Sequence, residues 1–447
     1  MCVIKVSNFC IRILLFKRRK EYLIKIRGLI ARYPILERYL RLIKWRILKS
    51  IHRILICIKS KIVRFPGDPY QVYWVSSHIF KYTINMWWDV PKPQLVTGMI
   101  KGGNWDKNIF PVKDLLPIRS VRDRFINGKS WQETEYYHSF LERISKGDLP
   151  YGCHNKQDID KHCSYIDELF GEIDNNGYKL QTELRGTKFG DSNRVEHEIT
   201  VNIDRDGRYL FCDGRRRLAI VYALNIEKIP VKVCIRHAKW EAFRQEILDF
   251  AKKTYGNKIY QPLTHPDLQI VQSVHDESRF KIIRNNLSLD KGTLLDIGAN
   301  WGYFCHRFEE LGFKCYAIES SPKQLYFLKK LRKAQDRKFQ IIGKSIFEYQ
   351  DMPHFDVILA LNIFHHFLKT SQLYENFLCL LKGLDMDILF FESHKTSEQQ
   401  MKQSYRNFEP DEFVKFIIQY TKLNQSKFIG YASDGRPIYK LWKSTDG

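Results

Sequence analysis

The chain has 447 residues, 44% hydrophobic and 14% aromatic. That is length for two or three domains and enough apolar material to build real cores, which excludes a disordered chain. It carries 73 Lys and Arg against 50 Asp and Glu, a formal charge of +23, and the excess is concentrated: residues 1–65 hold 18 basic residues against only Glu21 and Glu37. No stretch offers the roughly 18–20 uninterrupted apolar residues of a membrane-spanning helix. Lys5, Arg12 and the run Lys17 to Lys20 also break the first apolar stretch, so neither an integral membrane protein nor a secretory signal peptide is expected.

The ten cysteines form no CxxC pair and no framework spacing, and they read as reduced, mostly buried thiols of a cytosolic protein. Cys153-His154 and His162-Cys163 place four zinc-capable side chains close together, but as adjacent pairs rather than pairs two to four residues apart, so no metal site is expected.

In chain order, Leu36, Leu40, Ile43, Ile47, Ile51, Ile54 and Ile58 recur every three or four positions, with Arg38, Arg46, Lys49 and Arg53 on the other side. This spacing predicts a basic amphipathic helix. Its charged face suits a peripheral position on an anionic cytoplasmic membrane face, packing on the protein with the basic side solvated, or nucleic-acid phosphate. Phe65-Pro66-Gly67-Asp68-Pro69 ends the pattern and sets a boundary, giving a basic helical segment over 1–65, a middle domain over 66–255 and a C-terminal domain over 256–447.

In the middle segment, Ile199, Val201 and Ile203 alternate as a strand, Asp204-Arg205-Asp206-Gly207 reads as a hairpin turn, and Tyr209 to Cys212 returns. Asp213-Gly214-Arg215-Arg216-Arg217 follows, then a helix from Leu218 to Asn225 and a strand at Ile229-Pro230-Val231-Lys232-Val233. A glycine leading three arginines into a helix start suits an anion, because backbone N–H groups and guanidinium forks converge there. The alternative is a solvated basic turn.

Residues 198–235 resemble the core of ParB-like and sulfiredoxin-like domains, in which a strand, a Gly-Arg-Arg turn, a helix and an Ile-Pro-Val strand follow in that order. Members of that α+β superfamily bind nucleotide phosphates at this turn; they include CTP-using partition proteins, sulfiredoxin and a kinase for free serine. The resemblance implies Gly214, Arg215, Arg216 and Arg217 as phosphate ligands, with a nucleoside triphosphate or diphosphate as the cofactor. The chain has Arg216 where the kinase-like pattern has a histidine.

In the C-terminal segment, Leu294-Leu295-Asp296-Ile297-Gly298-Ala299-Asn300-Trp301-Gly302 is an apolar strand running into a glycine turn, followed by a helix from Tyr303 to Leu311. Seventeen residues past Gly302, the strand Cys315 to Ile318 ends in Glu319, whose carboxylate can take two ribose hydroxyls. The turn reads DxGxNxG rather than GxGxxG. A sulfonium nucleoside has no pyrophosphate to seat on a helix start and tolerates the bulk of Asn300 and Trp301. Further strands are expected at Phe339–Ile342, Phe355–Leu361 and Asp387–Phe391, with a closing hairpin from Lys427 to Trp442.

Five parallel strands, interleaved helices and a C-terminal hairpin resemble the class I S-adenosylmethionine-dependent methyltransferases, a doubly wound Rossmann-like α/β fold. The resemblance implies Asp296, Gly298, Asn300 and Gly302 around the methionine portion of S-adenosylmethionine and Glu319 on its ribose. Ser345 stands where many members place an adenine-contacting Asp, and Asn362 lies just past the fourth strand. His365, His366 and Glu392 follow the fourth and fifth strands, where a base can reach a bound acceptor. An Asn-Pro-Pro-Tyr sequence of the kind used on DNA bases is absent, which disfavours base methylation.

The leading expectation is therefore a methyltransferase for a small molecule or cell-surface glycan, joined to a nucleotide- or phosphate-binding ParB-like domain. In logic it resembles bacterial O-antigen chain terminators of polysaccharide biosynthesis, in which a kinase and a methyltransferase cap a membrane-borne glycan. The rival is a ParB-like nucleic-acid-binding protein with an accessory methyltransferase. It is weakened by the crowding of the excess charge into residues 1–65 and by the lack of an evident helix-turn-helix reader.

Overall fold

A computed structural model describes residues 71–84, 98–184, 187–189, 198–349 and 352–444. The expected basic helix and the rest of segment 1–65 lie outside the described residues. Among the described residues no helix is long and apolar enough to cross a membrane. The chain divides into two compact units that interleave in sequence. Lys107–Asn202 and Phe211–Ile235, with the described residues up to Ile100, form the first; Lys101–Asp106, Ile203–Leu210 and the chain from Arg236 form the second. Residues 236–255, assigned to the middle segment by sequence, thus group with the C-terminal part.

The first unit is built on β1 (Val72–Ser76), β2 (Tyr82–Ile84), β3 (Met99–Lys101), β4 (Ile109–Pro111), β5 (Ile199–Ile203), β6 (Tyr209–Asp213) and β7 (Lys228–His237). They form a sheet of order β1-β7-β5-β6-β2-β4, with β3 also paired to β7. Its helices are α1 (Leu116–Phe125), α2 (Glu135–Ser145), α3 (Lys156–Asn176) and α4 (Arg215–Ala223). Strand β5 is buried on both faces, so Thr200 and Asn202 are as enclosed as Ile199, Val201 and Ile203, with which they alternate. Helix α4 begins at Arg215, three residues before the Leu218 start expected from apolar spacing. Gly214 takes the left-handed conformation (φ +103°) needed to turn the chain into the first helical turn.

The second unit contains α5 (Ala238–Thr254), the short pair β8 (Lys258–Ile259) and β9 (Gln272–Ser273), and α6 (Ser278–Asn285). There follow β10 (Thr293–Ile297), α7 (Tyr303–Glu310), β11 (Lys314–Ile318), α8 (Pro322–Ala334), β12 (Gln340–Ile342) and β13 (Phe355–Leu361). The chain ends with α9 (Ser371–Gly383), β14 (Met386–Glu392), α10 (Pro410–Tyr420), β15 (Gln425–Tyr431) and β16 (Pro437–Trp442). The sheet order is β12-β11-β10-β13-β14-β16-β15. The first five strands run parallel, and β16 lies antiparallel between β14 and β15.

Both faces of this sheet are covered, which is why its strands read as continuous apolar runs. Leu295, Ile297, Ile318, Ile358 and Phe391 share one core with Phe377 of α9 and Phe413 of α10. Leu294, Cys315, Ala317, Val357 and Phe390 share the other with Phe280, Phe304 and Leu328 from α6, α7 and α8. Neighbouring residues fall into opposite cores because side chains alternate along a strand.

The start of α5 is fixed by a buried polar hub. Asp267, fully enclosed, accepts from Arg236 Nη2 at 2.6 Å and Trp240 Nε1 at 2.9 Å, with Arg244 Nε at 3.1 Å. Beside it, His265 Nδ1 accepts the Asp267 N–H at 3.2 Å, so the proton sits on Nε2, which donates to the Gly207 carbonyl at 2.8 Å. Burial holds this imidazole down to about 4. A depressed histidine contributes stability above its unfolded value of about 6.5 that is lost as pH falls toward the folded value. Wild type should therefore lose about 3 kcal/mol of stability between pH 6.5 and pH 4 that a His265→Gln variant does not lose. Paired urea titrations at the two pH values check this; a constant gap between the proteins would refute it.

Candidate functional site

A cavity of about 390 Å³ opens along the C-terminal ends of the parallel strands of the second unit. This is where a doubly wound sheet collects ligands, because β10 and β13 diverge into connections on opposite faces. The end of β10 contributes Ile297, Gly298 and Asn300; the end of β11, Ile318, Glu319 and Ser320; the turn after β12, Lys344, Ser345 and Ile346. The end of β13 supplies Asn362, His365 and His366, and the segment after α5 supplies Tyr255, Tyr260 and Gln261.

The turn after β10 is held by backbone geometry. Gly298 (φ +73°) and Asn300 (φ +53°) are left-handed, and the Gly298 and Ala299 N–H groups both donate to the Ile318 carbonyl, at 3.0 and 2.8 Å. The Glu319 carboxylate closes this corner: Oε2 takes the Asn300 N–H at 2.9 Å and Oε1 the Ser321 N–H at 2.8 Å. Two oxygens offer about four acceptor positions, so lone pairs remain for a vicinal diol. Burial raises the Glu319 carboxyl, and the hydrogen bonds from Ser321 and Asn300 oppose that. An added Cβ at Gly298 would stand 3.0 Å from Ile363 Cδ1, so the absence of a side chain keeps this wall of the cavity open.

Of the seven residues expected around the donor, Gly298, Asn300, Glu319, Ser345 and Asn362 line the cavity. Asp296 and Gly302 stand behind it. Asp296 is buried with Oδ2 unpartnered; burial pushes its carboxyl up to about 7, partly offset by Arg279 and reinforced by Glu319. Gly302, left-handed at φ +83°, is packed against α8: an added Cβ would run into Leu328 Cδ1. Close packing against α8 therefore requires a glycine here, and Gly302 does not line the cavity. Trp301 turns away from the cavity, stacks on Phe327 at 4.3 Å and donates its indole N–H to Gln324 at 2.5 Å, leaving the cavity unobstructed.

Of the three expected proton acceptors, His365 and His366 line the cavity and Glu392 does not. Glu392 is buried at the end of β14 and pairs with Arg279 Nη1 at 3.2 Å, a partner 113 residues away that its sequence context could not reveal. A carboxylate fixed beside a guanidinium in the interior is a positioned ion pair rather than a base open to a ligand. His365 is 2% exposed with both ring nitrogens unpartnered, while His366 stands exposed at the rim. Two lining residues carry no local sequence signal. Tyr260 accepts a hydrogen bond at its hydroxyl from Asn362 Nδ2 at 2.6 Å, and Gln261 has an unpartnered Oε1.

In the first unit, the Asp213–Arg217 turn is partly committed to internal contacts. The Gly214 N–H donates to Asp213 Oδ1 at 2.8 Å. Arg216 stacks between the rings of Tyr151 and Tyr165, at 5.1 and 5.3 Å, and Arg217 faces the buried Glu198 carboxylate at 3.9 Å. Arg215 has no such partner among the described residues, and no side chain caps the first turn of α4.

Residues 295–383 match the Methyltransf_12 family, described as "Methyltransferase domain". The chain therefore carries an S-adenosylmethionine-dependent methyltransferase domain, and the doubly wound part of the expected fold stands. No curated protein matches the chain. Among solved structures, the chain is similar to the bifunctional kinase-methyltransferase WbdD, at 18% identity and a TM-score of 0.35 over 44% of this chain and 46% of that one. It is also similar to the N-methyltransferase NodS from Bradyrhizobium japonicum WM9, at 14% identity and a TM-score of 0.31 over 37% of this chain and 94% of that one. Magnesium protoporphyrin IX methyltransferase (ChlM) from Synechocystis PCC 6803, solved with bound SAM, matches at 15% identity and 0.29 over 38% of this chain and 77% of that one. The chain spans about half the length of the WbdD structures it matches.

Replacing Glu319 with Ala should weaken donor binding by roughly 1–3 kcal/mol, since two ribose hydroxyls would lose their acceptor, and should also lower stability by about 1–3 kcal/mol, since the Asn300 and Ser321 N–H groups would lose theirs. Gly302→Ala should act on stability without a direct loss of donor contact: a cost of about 2–4 kcal/mol from left-handed strain plus overpacking against Leu328. Calorimetry and denaturant titration on the two variants separate these roles.

Proposed function

We propose that this protein is a methyltransferase that uses S-adenosylmethionine to methylate a small molecule or a cell-surface glycan, with the cavity at the β10–β13 edge as its active site. The observation that carries this reading is the Glu319 carboxylate, fixed by two backbone N–H groups beside a left-handed glycine turn and facing the cavity with acceptor capacity left over. A fixed carboxylate at the second strand end recognises a ribose diol without any phosphate-binding helix start. The donor, when bound, supplies an electrophilic methyl group; the protein's task is alignment of donor and acceptor and removal of a proton. Gly298, Asn300, Glu319 and Ser345 would hold the donor, with Asp296 setting the turn from behind. Asn362 marks the passage to the acceptor side.

In the first unit, we propose a ParB-like element whose Asp213–Arg217 turn receives a phosphate group, such as that of a nucleotide. Its support is the order strand, left-handed Gly214, helix and Ile229-Pro230-Val231 strand, together with the uncapped start of α4 and an Arg215 that has no partner among the described residues. Arg216 and Arg217, held by tyrosines and by Glu198, would shape the turn rather than grip the anion. The charge of residues 1–65 supports a place for the chain at an anionic membrane surface.

Calorimetry on the full chain tests both parts. S-adenosylmethionine should bind one per chain and lose affinity in Glu319→Ala; ATP or CTP should bind at the other site and lose affinity in Arg215→Ala but not in Glu319→Ala. No heat with the donor would refute the methyltransferase assignment, and no heat with any nucleotide would refute the phosphate site.

A further inference from the structure

The cavity changes character along its length. Toward β11 and β12 it holds its carboxylate, Glu319, and its ammonium, Lys344. Toward β13 it is lined by Tyr255, Tyr260, Gln261, Asn362, His365 and Gln400, a set with no carboxylate, ammonium or guanidinium. Two arginines near this end are tied up elsewhere. Arg279 pairs with Glu392 and lies over the Tyr260 ring at 5.6 Å; Arg436 makes a two-pronged contact with Glu398, both prongs at 2.8 Å. Neither arginine lines the cavity.

What this end offers is hydrogen-bonding capacity without charge. Gln261 Oε1, Asn362 Oδ1 and both ring nitrogens of His365 are buried and unpartnered. Buried polar atoms are satisfied in nearly all folded proteins, so a cluster of orphans on one cavity wall marks the place of a polar guest. His365 stays uncharged near neutrality: burial, then His366 and His394, hold its imidazole down to about 3. A neutral imidazole has one donor and one acceptor nitrogen, and the amides and tyrosine hydroxyls are likewise two-way partners.

Resting on the methyltransferase assignment above, we infer that the acceptor is an uncharged, hydroxyl-rich carbohydrate, methylated on oxygen, with His365 as the group that takes the proton. Among the described residues that line this end, a phosphate or carboxylate would find no cation and an ammonium no anion, so each would be desolvated without a lining partner of opposite charge. A sugar hydroxyl both donates and accepts, which matches the orphaned atoms in kind. As the acceptor oxygen forms its bond to the methyl carbon, the carbon–sulfur bond breaks with its electron pair going to sulfur. The hydroxyl becomes strongly acidic as it takes the methyl group, so even a weak buried base accepts its proton at a ring nitrogen of His365. The exposed His366 ring, 4.0 Å away, passes it to water. Tyr260, held by Asn362, is a positioning residue at the boundary between donor and acceptor.

The test uses the full chain loaded with S-adenosylhomocysteine and titrated, by saturation-transfer NMR, with methyl glycosides of neutral hexoses. The same sugars carrying one phosphate, one carboxylate or one amine form the comparison arms. Neutral sugars should bind, and each charged derivative should bind at least tenfold more weakly. A charged derivative binding as tightly as its parent overturns the inference, and so does donor binding without any sugar binding. Failure of the donor itself to bind would instead strike the methyltransferase assignment. With S-adenosylmethionine and the tightest neutral sugar, His365→Gln and His365→Asn should each lower kcat by about 10²–10⁴-fold, leave the donor heat unchanged and leave KM within a few-fold. Unchanged kcat in both variants removes His365 as the proton acceptor.

Discussion

The geometry of the second unit turns on one clip: the Glu319 carboxylate receiving the Asn300 N–H across the ends of two neighbouring strands. It fixes a left-handed turn after β10 against the end of β11, so that the first loop of the sheet cannot collapse into the space the strands leave at their edge. The same carboxylate satisfies the Ser321 N–H at the entry to α8. One buried acidic side chain thus joins a strand end, a glycine turn and a helix start, and it does so with oxygens that still face the cavity.

Around that clip the structure distributes burial and charge unequally. The sheet is enclosed on both faces by aromatic-rich helices, which gives the strand ends rigid positions. Behind the cavity, Asp296, Arg279 and Glu392 form a layer of ionisable groups that does not line it. Burying such groups is costly, and Arg279 offsets part of the cost for both acids. The cavity is divided accordingly: charge lies behind its wall and toward β11 and β12, while the lining toward β13 is neutral.

Much of the second unit was legible in the sequence because its signals are local. A strand buried on both faces must be apolar throughout, a tight turn after it needs residues that tolerate positive φ, and an acid at the next strand end follows at a fixed distance; all three are visible at Leu294–Glu319. The closing hairpin from Lys427 to Trp442 and the fourth-strand run Phe355–Leu361 were equally readable. Residues whose roles depend on distant partners were not. Glu392 looked like a base after the fifth strand because nothing nearby names Arg279. Gly302 looked like ligand contact because Leu328, which excludes a side chain there, lies on another helix. Tyr260 carried no signal at all, since its partner Asn362 is 102 residues away.

The first unit shows the same division. Its strand–turn–helix–strand order follows from alternation, a glycine and an arginine run. That Arg216 is sandwiched by Tyr151 and Tyr165, and that Arg217 faces Glu198, could be known only once helix, turn and strand had packed. The sequence by itself determined which elements form and where the chain turns, because these follow from short-range sterics and the periodicity of burial. Which charged side chains remain available to a ligand was decided by tertiary structure alone, since availability is set by the partner that packing brings within hydrogen-bonding distance.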